Sequence, residues 1–315
     1  MPMPVSDMCN PHYIIRNYQP ADFNKYVQLI HGAEKLEPTG RCVSVQAVTE
    51  KLGRPNYSPE QDLFIVEIAG DFIGYMDVVP ESIIRRVILD CWIHPEHRRR
   101  GLATKLVDHG TRRAQELRAR IVHVNIQGDD EIAKMVLSRL GFNPVRRFLE
   151  LRLDMAKVCL PDVDLVALGC RYLQRDEENE LAGIQNRAFT GTWGYNPNTV
   201  EEISYSINLS NCSAKDVILV CNGGKVVSYC WTATTYEEGG TGGTKARISM
   251  LGTDPDYRGR GAGNRALLCG LVHLRNKGLR IVDLTVDSGN KIACALYRSI
   301  GFEVRTDSLW YQKDI

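Results

Sequence analysis

The 315-residue chain has no apolar run near the roughly 18 residues that a membrane-spanning helix needs. Its opening stretch, MPMPVSDMCNPHY, lacks the charged-then-apolar order of an export signal, so a cytoplasmic protein with no membrane partner is expected. Cysteines are not scarce, but pairing is: positions 9, 42, 91, 159, 170, 212, 221, 230, 269 and 294 contain no C-x-x-C and no cysteine/histidine spacing suited to zinc. That usage reads as reduced and argues against a disulfide frame or a metal site. Six of the seven histidines lie in the first half, and His273 sits in a helix-like segment without a carboxylate or cysteine at metal spacing. An excess of one charge is also missing. With 39 basic against 38 acidic side chains, neither nucleic acid nor an anionic membrane is indicated as a main partner.

A chain of this length has room for two domains of about 150 residues each, and each could bury a core. The segment that organises the rest is Ile248 to Gly263, ISMLGTDPDYRGRGAG. An apolar run that reads as a buried strand ends at Asp254-Pro255, and a basic, glycine-rich turn precedes a helix-like stretch from Asn264. This layout suits a phosphate: glycines let backbone amides approach, arginines add charge, and the helix start contributes free N–H groups and its dipole.

The segment has a sister. A shift of 160 positions, without a gap, places Pro95 on Pro255, Arg98 on Arg258, Arg100 on Arg260, Gly101 on Gly261, Ala133 on Ala293 and Gly141-Phe142 on Gly301-Phe302. Upstream, Gly70-Asp71 and Gly74-Tyr75 match Gly224-Lys225 and Ser228-Tyr229 at a shift of 154, leaving six extra residues that fall in Glu237 to Thr244, EEGGTGGT. Two copies this long are duplicated globular domains rather than a stacked repeat array.

Along the first half, periodicity predicts a strand at Tyr13 to Asn17, a helix over Phe23 to Ala33, and a hairpin over Leu63 to Val79 turning at Gly70-Asp71. A strand at Arg86 to Ile93 follows, then a helix through Leu102, Leu106, Val107 and Ala114, a strand at Arg120 to Ile126 and a short helix to Leu140. Glu34 to Glu60 gives no clear pattern. The Pro161-containing stretch Cys159 to Asp164 reads as a linker, so domains are expected at 1–158 and 165–315.

Both turns, HRRRGLA (His97 to Ala103) and YRGRGAG (Tyr257 to Gly263), fit Arg-x-x-Gly-x-(Gly/Ala). Each follows a strand, opens a helix and lies forty residues before a Gly-Phe (101 to 141, 261 to 301). With this context the chain resembles the GNAT superfamily of acyl-CoA-dependent N-acetyltransferases, most specifically over residues 86–142 and 246–302. The resemblance implies two tandem α/β GNAT domains of mixed sheet. It also implies that the strand before the turn splays from its parallel neighbour to admit pantetheine.

Carried over by resemblance, Leu251, Gly252 and Thr253 would meet pantetheine, and Arg258, Gly259, Arg260, Gly261, Ala262 and Gly263 would hold the CoA pyrophosphate. Asn290, Ala293 and Tyr297 fit Asn-x-x-Ala-x-x-Leu-Tyr on one helix face, where the family's tyrosine protonates the leaving thiolate. The matching first-half cofactor residues are Cys91, Ile93, Arg98, Arg99, Arg100, Gly101, Leu102 and Ala103, with Asp130 at the Asn290 position. Leu137 stands where the tyrosine would be, which predicts a catalytically silent first half that binds acetyl-CoA or merely keeps the turn as structure.

The base stays open. Asp287 shares a strand face with Asp283 and Thr285; Glu201, Glu202, Glu237 and Glu238 are other carboxylates, and a water chain would serve as well. Trp193, Tyr195, Tyr205 and Trp231 belong either to an acceptor pocket or to the core. The function implied is acetyl transfer to a primary amine of a small molecule, with a CoA-binding scaffold or a protein acyltransferase as alternatives. Oligomeric state is not readable, and a monomer is compatible with a fused pair of domains.

Overall fold

The computed structural model describes residues 12–39, 43–160, 169–235 and 245–315. Most of the N-terminal stretch, part of the expected linker, and the loop 237–244 with Glu237 and Glu238 lie outside the described residues. In the first half, strands β1 (Ile14–Asn17), β2 (Leu63–Ile68), β3 (Asp71–Glu81), β4 (Arg86–Ile93), β5 (Ile121–Gln127) and β6 (Asn143–Asp154) alternate with helices α1 (Phe23–Leu36), α2 (Val45–Leu52), α3 (Pro59–Asp62), α4 (Leu102–Glu116) and α5 (Glu131–Arg139). The second half repeats the order with β7 (Cys170–Tyr172), α6 (Glu178–Phe189), α7 (Val200–Ile207), β8 (Val217–Asn222), β9 (Lys225–Thr235), β10 (Lys245–Thr253), α8 (Ala262–Asn276), β11 (Ile281–Asp287), α9 (Lys291–Ile300) and β12 (Glu303–Asp314).

The expected elements form, and the unreadable stretch holds α2 and α3. The first hairpin turns at Ala69 and Gly70, with left-handed φ of 50° and 88°, one residue earlier than the glycine suggested. The strand at Ile281–Asp287 alternates as expected, with Val282, Leu284 and Val286 buried and Asp283, Thr285 and Asp287 on the other face.

All twelve described strands join one sheet in the order β1-β2-β3-β4-β5-β12-β6-β11-β10-β9-β8-β7. The last strand of each half is thereby exchanged: β6 pairs with β11, and β12 pairs with β5. Buried side chains tie each exchanged strand to the other half. Leu151 and Leu153 of β6 are 1 % exposed and pack among Leu267, Val282 and Leu284, while Tyr311 of β12 packs with Leu106 and Val122 in the first-half core. Each half thus completes the other's core.

One cysteine reading is corrected. Cys170 on β7 and Cys269 on α8, 99 residues apart in sequence, form a disulfide with Cα atoms 6.9 Å apart. Sequence spacing could not show this pair because a strand and a helix far apart in the half bring it together. His273 also has the carboxylate partner its local sequence lacks: its Nε2 lies 3.0 Å from Asp216 Oδ1, and its Nδ1 3.2 Å from the Tyr172 hydroxyl. No described helix is long and apolar enough to cross a membrane.

Candidate active site

The site begins where two parallel strands part. β10 pairs with β11 only through Ala246↔Val282, Arg247↔Asp283 and Ile248↔Leu284. Beyond Ile248, Met250 to Thr253 continue to pair with β9 on one side and leave β11 on the other. A register shift between Ile248 and Met250 leaves Ser249 as the extra residue. Such a bulge bends its strand and re-aims the residues beyond it. The first half splays too: β4 pairs with β5 from Arg86↔Ile121 to Leu89↔Val124 and no further, but β3 and β4 stay in unbroken register.

The glycine-rich turn closes the wide end of the gap. Asp254, 1 % exposed, accepts from the Asp256 N–H at 3.1 Å and pairs with Lys225 at 3.2 Å and with Arg187. Burial works against that charge, but the Asp256 N–H and the two cations outweigh it and hold the carboxylate below its usual range. Gly259 and Gly261 adopt left-handed φ of 72° and 80°, and Gly261 is the N-cap of α8. The turn therefore presents exposed backbone at a helix start, the arrangement that suits a phosphate.

The turn's side chains are more anchored than the motif suggests. Arg258 Nη2 donates to the Ala188 carbonyl at 2.6 Å, and Arg260 lies over the Tyr257 ring at 5.7 Å. Ala262 begins α8 in the core, and a Cβ at Gly263 would stand 3.0 Å from Thr253 Oγ1, so the helix start fits tightly against the splayed strand. Thr253 Oγ1 in turn lies 2.9 Å from Ser228 Oγ, which donates to the Gly252 carbonyl at 2.7 Å. Leu251 packs at the edge of the second-half core. These residues fit an extended thiol arm ending in a pyrophosphate.

The sister turn keeps the backbone. Arg99 takes a φ of 61° where Gly259 has 72°, and Gly101 has 76° where Gly261 has 80°. A non-glycine residue held left-handed is strained. Arg98 donates to the Ile93 carbonyl at 2.8 Å and pairs with Glu37, while Arg100 donates to the Tyr13 hydroxyl at 2.8 Å. Leu102 is 2 % exposed and Ala103 packs against the first-half core; Cys91 is exposed on β4.

Across the gap, Asn290 and Asp130 do the same job: each caps its helix, accepting from Ala293 N at 3.1 Å and from Ala133 N at 2.9 Å. Asparagine and aspartate cap equally well, so this difference does not separate the halves. Tyr297 and Leu137 do. Tyr297 is 7 % exposed and packs against Phe302 with ring centroids 5.8 Å apart. Burial, reinforced by Cys230 and Cys294, raises its phenol above the usual range, so it keeps its proton.

On the opposite sheet face, Asp287 is fully engaged. Its Oδ2 takes Arg146 Nε at 2.9 Å and its Oδ1 takes the Gly289 N–H at 2.8 Å. Beside it lies a carboxylate that the sequence reading missed. Glu150, on exchanged β6, accepts from the Thr285 hydroxyl at 2.5 Å and lies 3.4 Å from Arg247. Nothing in its own sequence announces it, since β6 belongs to the other half.

Aromatics from both halves gather on this face. Trp193 stacks on His123 at 5.2 Å and meets Phe148 and Trp310 at 6.0 Å each, with Arg146 over its ring at 5.7 Å. Arg86 can only donate, so its contact with His123 Nδ1 at 3.3 Å makes that nitrogen the acceptor and leaves Nε2–H facing Gln312 at 3.0 Å. Trp231, 7 % exposed with its indole N–H on Cys212, belongs to the core. Tyr195 is tied to Asn186, and Tyr205 reaches the Glu50 carbonyl of α2. Glu202 caps α7 within a capping box.

Two splayed parallel strands, each followed by a left-handed glycine turn entering a helix, define a tandem acyltransferase fold of the GNAT type. Residues 35–142 and 179–302 match the acetyltransferase (GNAT) family, and the chain belongs to it. A mycothiol acetyltransferase of Saccharomonospora viridis is 32% identical over 253 residues, covering 78% of this chain and 80% of its own. Among solved structures, a GCN5-related N-acetyltransferase from Sphaerobacter thermophilus superposes with TM-score 0.70 at 22% identity, over 96% of this chain and 95% of the other. A tandem GNAT protein from the clavulanic acid biosynthesis pathway also reaches 0.70, at 14% identity over 96% and 98%. The protein is an acetyltransferase that uses acyl-CoA as co-substrate. The family match stops at 142 and 302, immediately before the exchanged strands.

Proposed function

We propose that the chain transfers an acetyl group from acetyl-CoA to a primary amine of a small molecule, with catalysis in the second half by direct attack on the thioester. The observation that carries this reading is the bulged, splayed β10 with Tyr297 beside it, against the unbulged β4 with Leu137 in the first half. The name of the relative, mycothiol acetyltransferase, supports a small-molecule acceptor. So does the aromatic and polar face around Trp193, which is open to both halves' side chains.

The amine loses a proton on the Asp287 and Glu150 face and attacks the thioester carbon. The C–N bond forms, the C–S bond breaks, a backbone N–H near Leu251 stabilises the oxyanion, and Tyr297 gives its proton to sulfur. Tyr297→Phe lowers kcat by about 10² or more. An undiminished rate with a competent acceptor, from a panel of cysteinyl amides, amino sugars and lysine peptides, removes the tyrosine from this role. Asp287→Asn and Glu150→Gln identify the base: the one that acts loses the acidic limb of the kcat/KM profile. If neither does, proton removal runs through water and backbone carbonyls.

The first half is proposed as a second acetyl-CoA site without turnover, because its turn keeps the left-handed backbone through Arg99 and Gly101. Native mass spectrometry should then show up to two cofactors per chain. A single cofactor, insensitive to changes at Arg98 and Gly101, rejects the first site.

A further inference from the structure

Tyr229 on β9 is wholly buried, and its hydroxyl finds no hydrogen-bond partner among the described residues. A buried donor left unpaired is destabilising, a cost that a phenylalanine would avoid. Its place gives the reason. Tyr229 pairs with Gly252 on the splayed segment of β10, and a Cβ at 252 would stand 2.4 Å from the tyrosine Cε1 and 3.0 Å from its Cζ. The far, hydroxyl-bearing end of the ring therefore lies across the glycine. Only a residue without a side chain leaves that room.

The first half provides an internal comparison. Tyr75 occupies the equivalent position on β3 but pairs with Trp92, and its hydroxyl donates to Asp90 Oδ2 at 3.5 Å. In the second half Gly252 replaces the tryptophan, and Met250, whose thioether is a far weaker acceptor, replaces the aspartate. In the half with Tyr297 the tyrosine ring fills the room that the glycine leaves and its hydroxyl has no acceptor among the described residues; in the half with Leu137 the tryptophan and the aspartate are both present. Burial, with Tyr195, Cys230 and Tyr297 nearby, keeps the Tyr229 phenol protonated, so it can only offer a hydrogen where negative charge develops.

We propose that the Tyr229 hydroxyl is a catalytic hydrogen-bond donor that meets the acyl carbonyl oxygen in the gap between β10 and β11. This assignment rests on the acetyltransferase reading of the second half and adds a side-chain donor to its backbone N–H. The test is Tyr229→Phe in the full chain, with Tyr75→Phe as control.

Removing an unbonded hydroxyl should leave Tm unchanged or raise it, while kcat falls by about 10². Tyr75→Phe leaves kcat as it was. Calorimetry with acetyl-CoA and with CoA gives an arm that needs no acceptor. Wild type should prefer acetyl-CoA by about fivefold, the worth of one hydrogen bond, and Tyr229→Phe should lose that preference. Unchanged kcat and an unchanged preference overturn the proposal. So does a drop of several degrees in Tm, which would mean the hydroxyl has a structural partner. Wild type that binds neither ligand rejects the acetyl-CoA site proposed for the second half, on which this assignment rests.

Discussion

The acid role proposed for Tyr297 requires a protonated phenol, and its buried surroundings decide over what pH range that holds. A phenol raised above its ordinary value of about 10 stays protonated through neutral and mildly alkaline pH. The alkaline limb of kcat should therefore stay flat to about pH 10. A fall near pH 8, measured with saturating acetyl-CoA, would assign the acid to another group. This residue was legible in the sequence because its signal is local: Asn290, Ala293, Tyr297 and Gly301-Phe302 are one helix and its end. Glu150 and His123 were not, since their partners Thr285 and Trp193 are remote in sequence and nothing local marks them as neighbours; Trp193 itself was readable only as pocket or core. Asn290, read as part of the cofactor site by resemblance, also caps its helix.

At the scale of elements, α8 carries the glycine-rich turn at one end and is held at the other by Asp216, just before β8. Asp216 is 4 % exposed and takes His273 Nε2 at 3.0 Å and Lys277 Nζ at 2.7 Å. Burial works against its charge, but His273, Lys277 and Ser213 outweigh it and bring its carboxyl well below the usual range. A depressed folded-state value means the contribution is present above the unfolded value near 4 and is lost as pH falls through the folded one. Asp216→Asn should therefore cost about 3 kcal/mol at neutral pH, with the gap to wild type narrowing in acid, as read from urea melts at pH 7 and pH 3. An equal loss at both pH values would show that packing rather than charge is at stake. The order of helices and strands was readable from periodicity because each element's pattern is self-contained. The disulfide and the Asp216 contacts were not, because they join elements that only the folded sheet brings together.

At the scale of the molecule, the duplication was plain and its consequence was hidden. Repeat matching aligns β6 with β12 and implies that each half closes its own sheet; the two strands instead trade places. Strand patterning cannot reveal the trade, because Leu151 and Leu153 would suit either core. A fragment of residues 1–158 lacks β12 and exposes the β5 edge, so it should form dimers or aggregates rather than a folded monomer. Co-expression with residues 165–315 should restore a single complex that binds acetyl-CoA. Light scattering of the first fragment alone is the check, and a stable monomer would show that the exchange is dispensable.

The exchange also sets a timetable for synthesis. Ser308 pairs with Gln127 and Asp314 with Ile121, so the middle of the sheet waits for strand β12 to be made. A nascent first half leaves the ribosome with β5 short of one neighbour and β6 short of both, and pairings this distant in sequence form slowly. Nascent chains arrested after residue 158 should stay protease-sensitive. Protection should come late, and for both halves together.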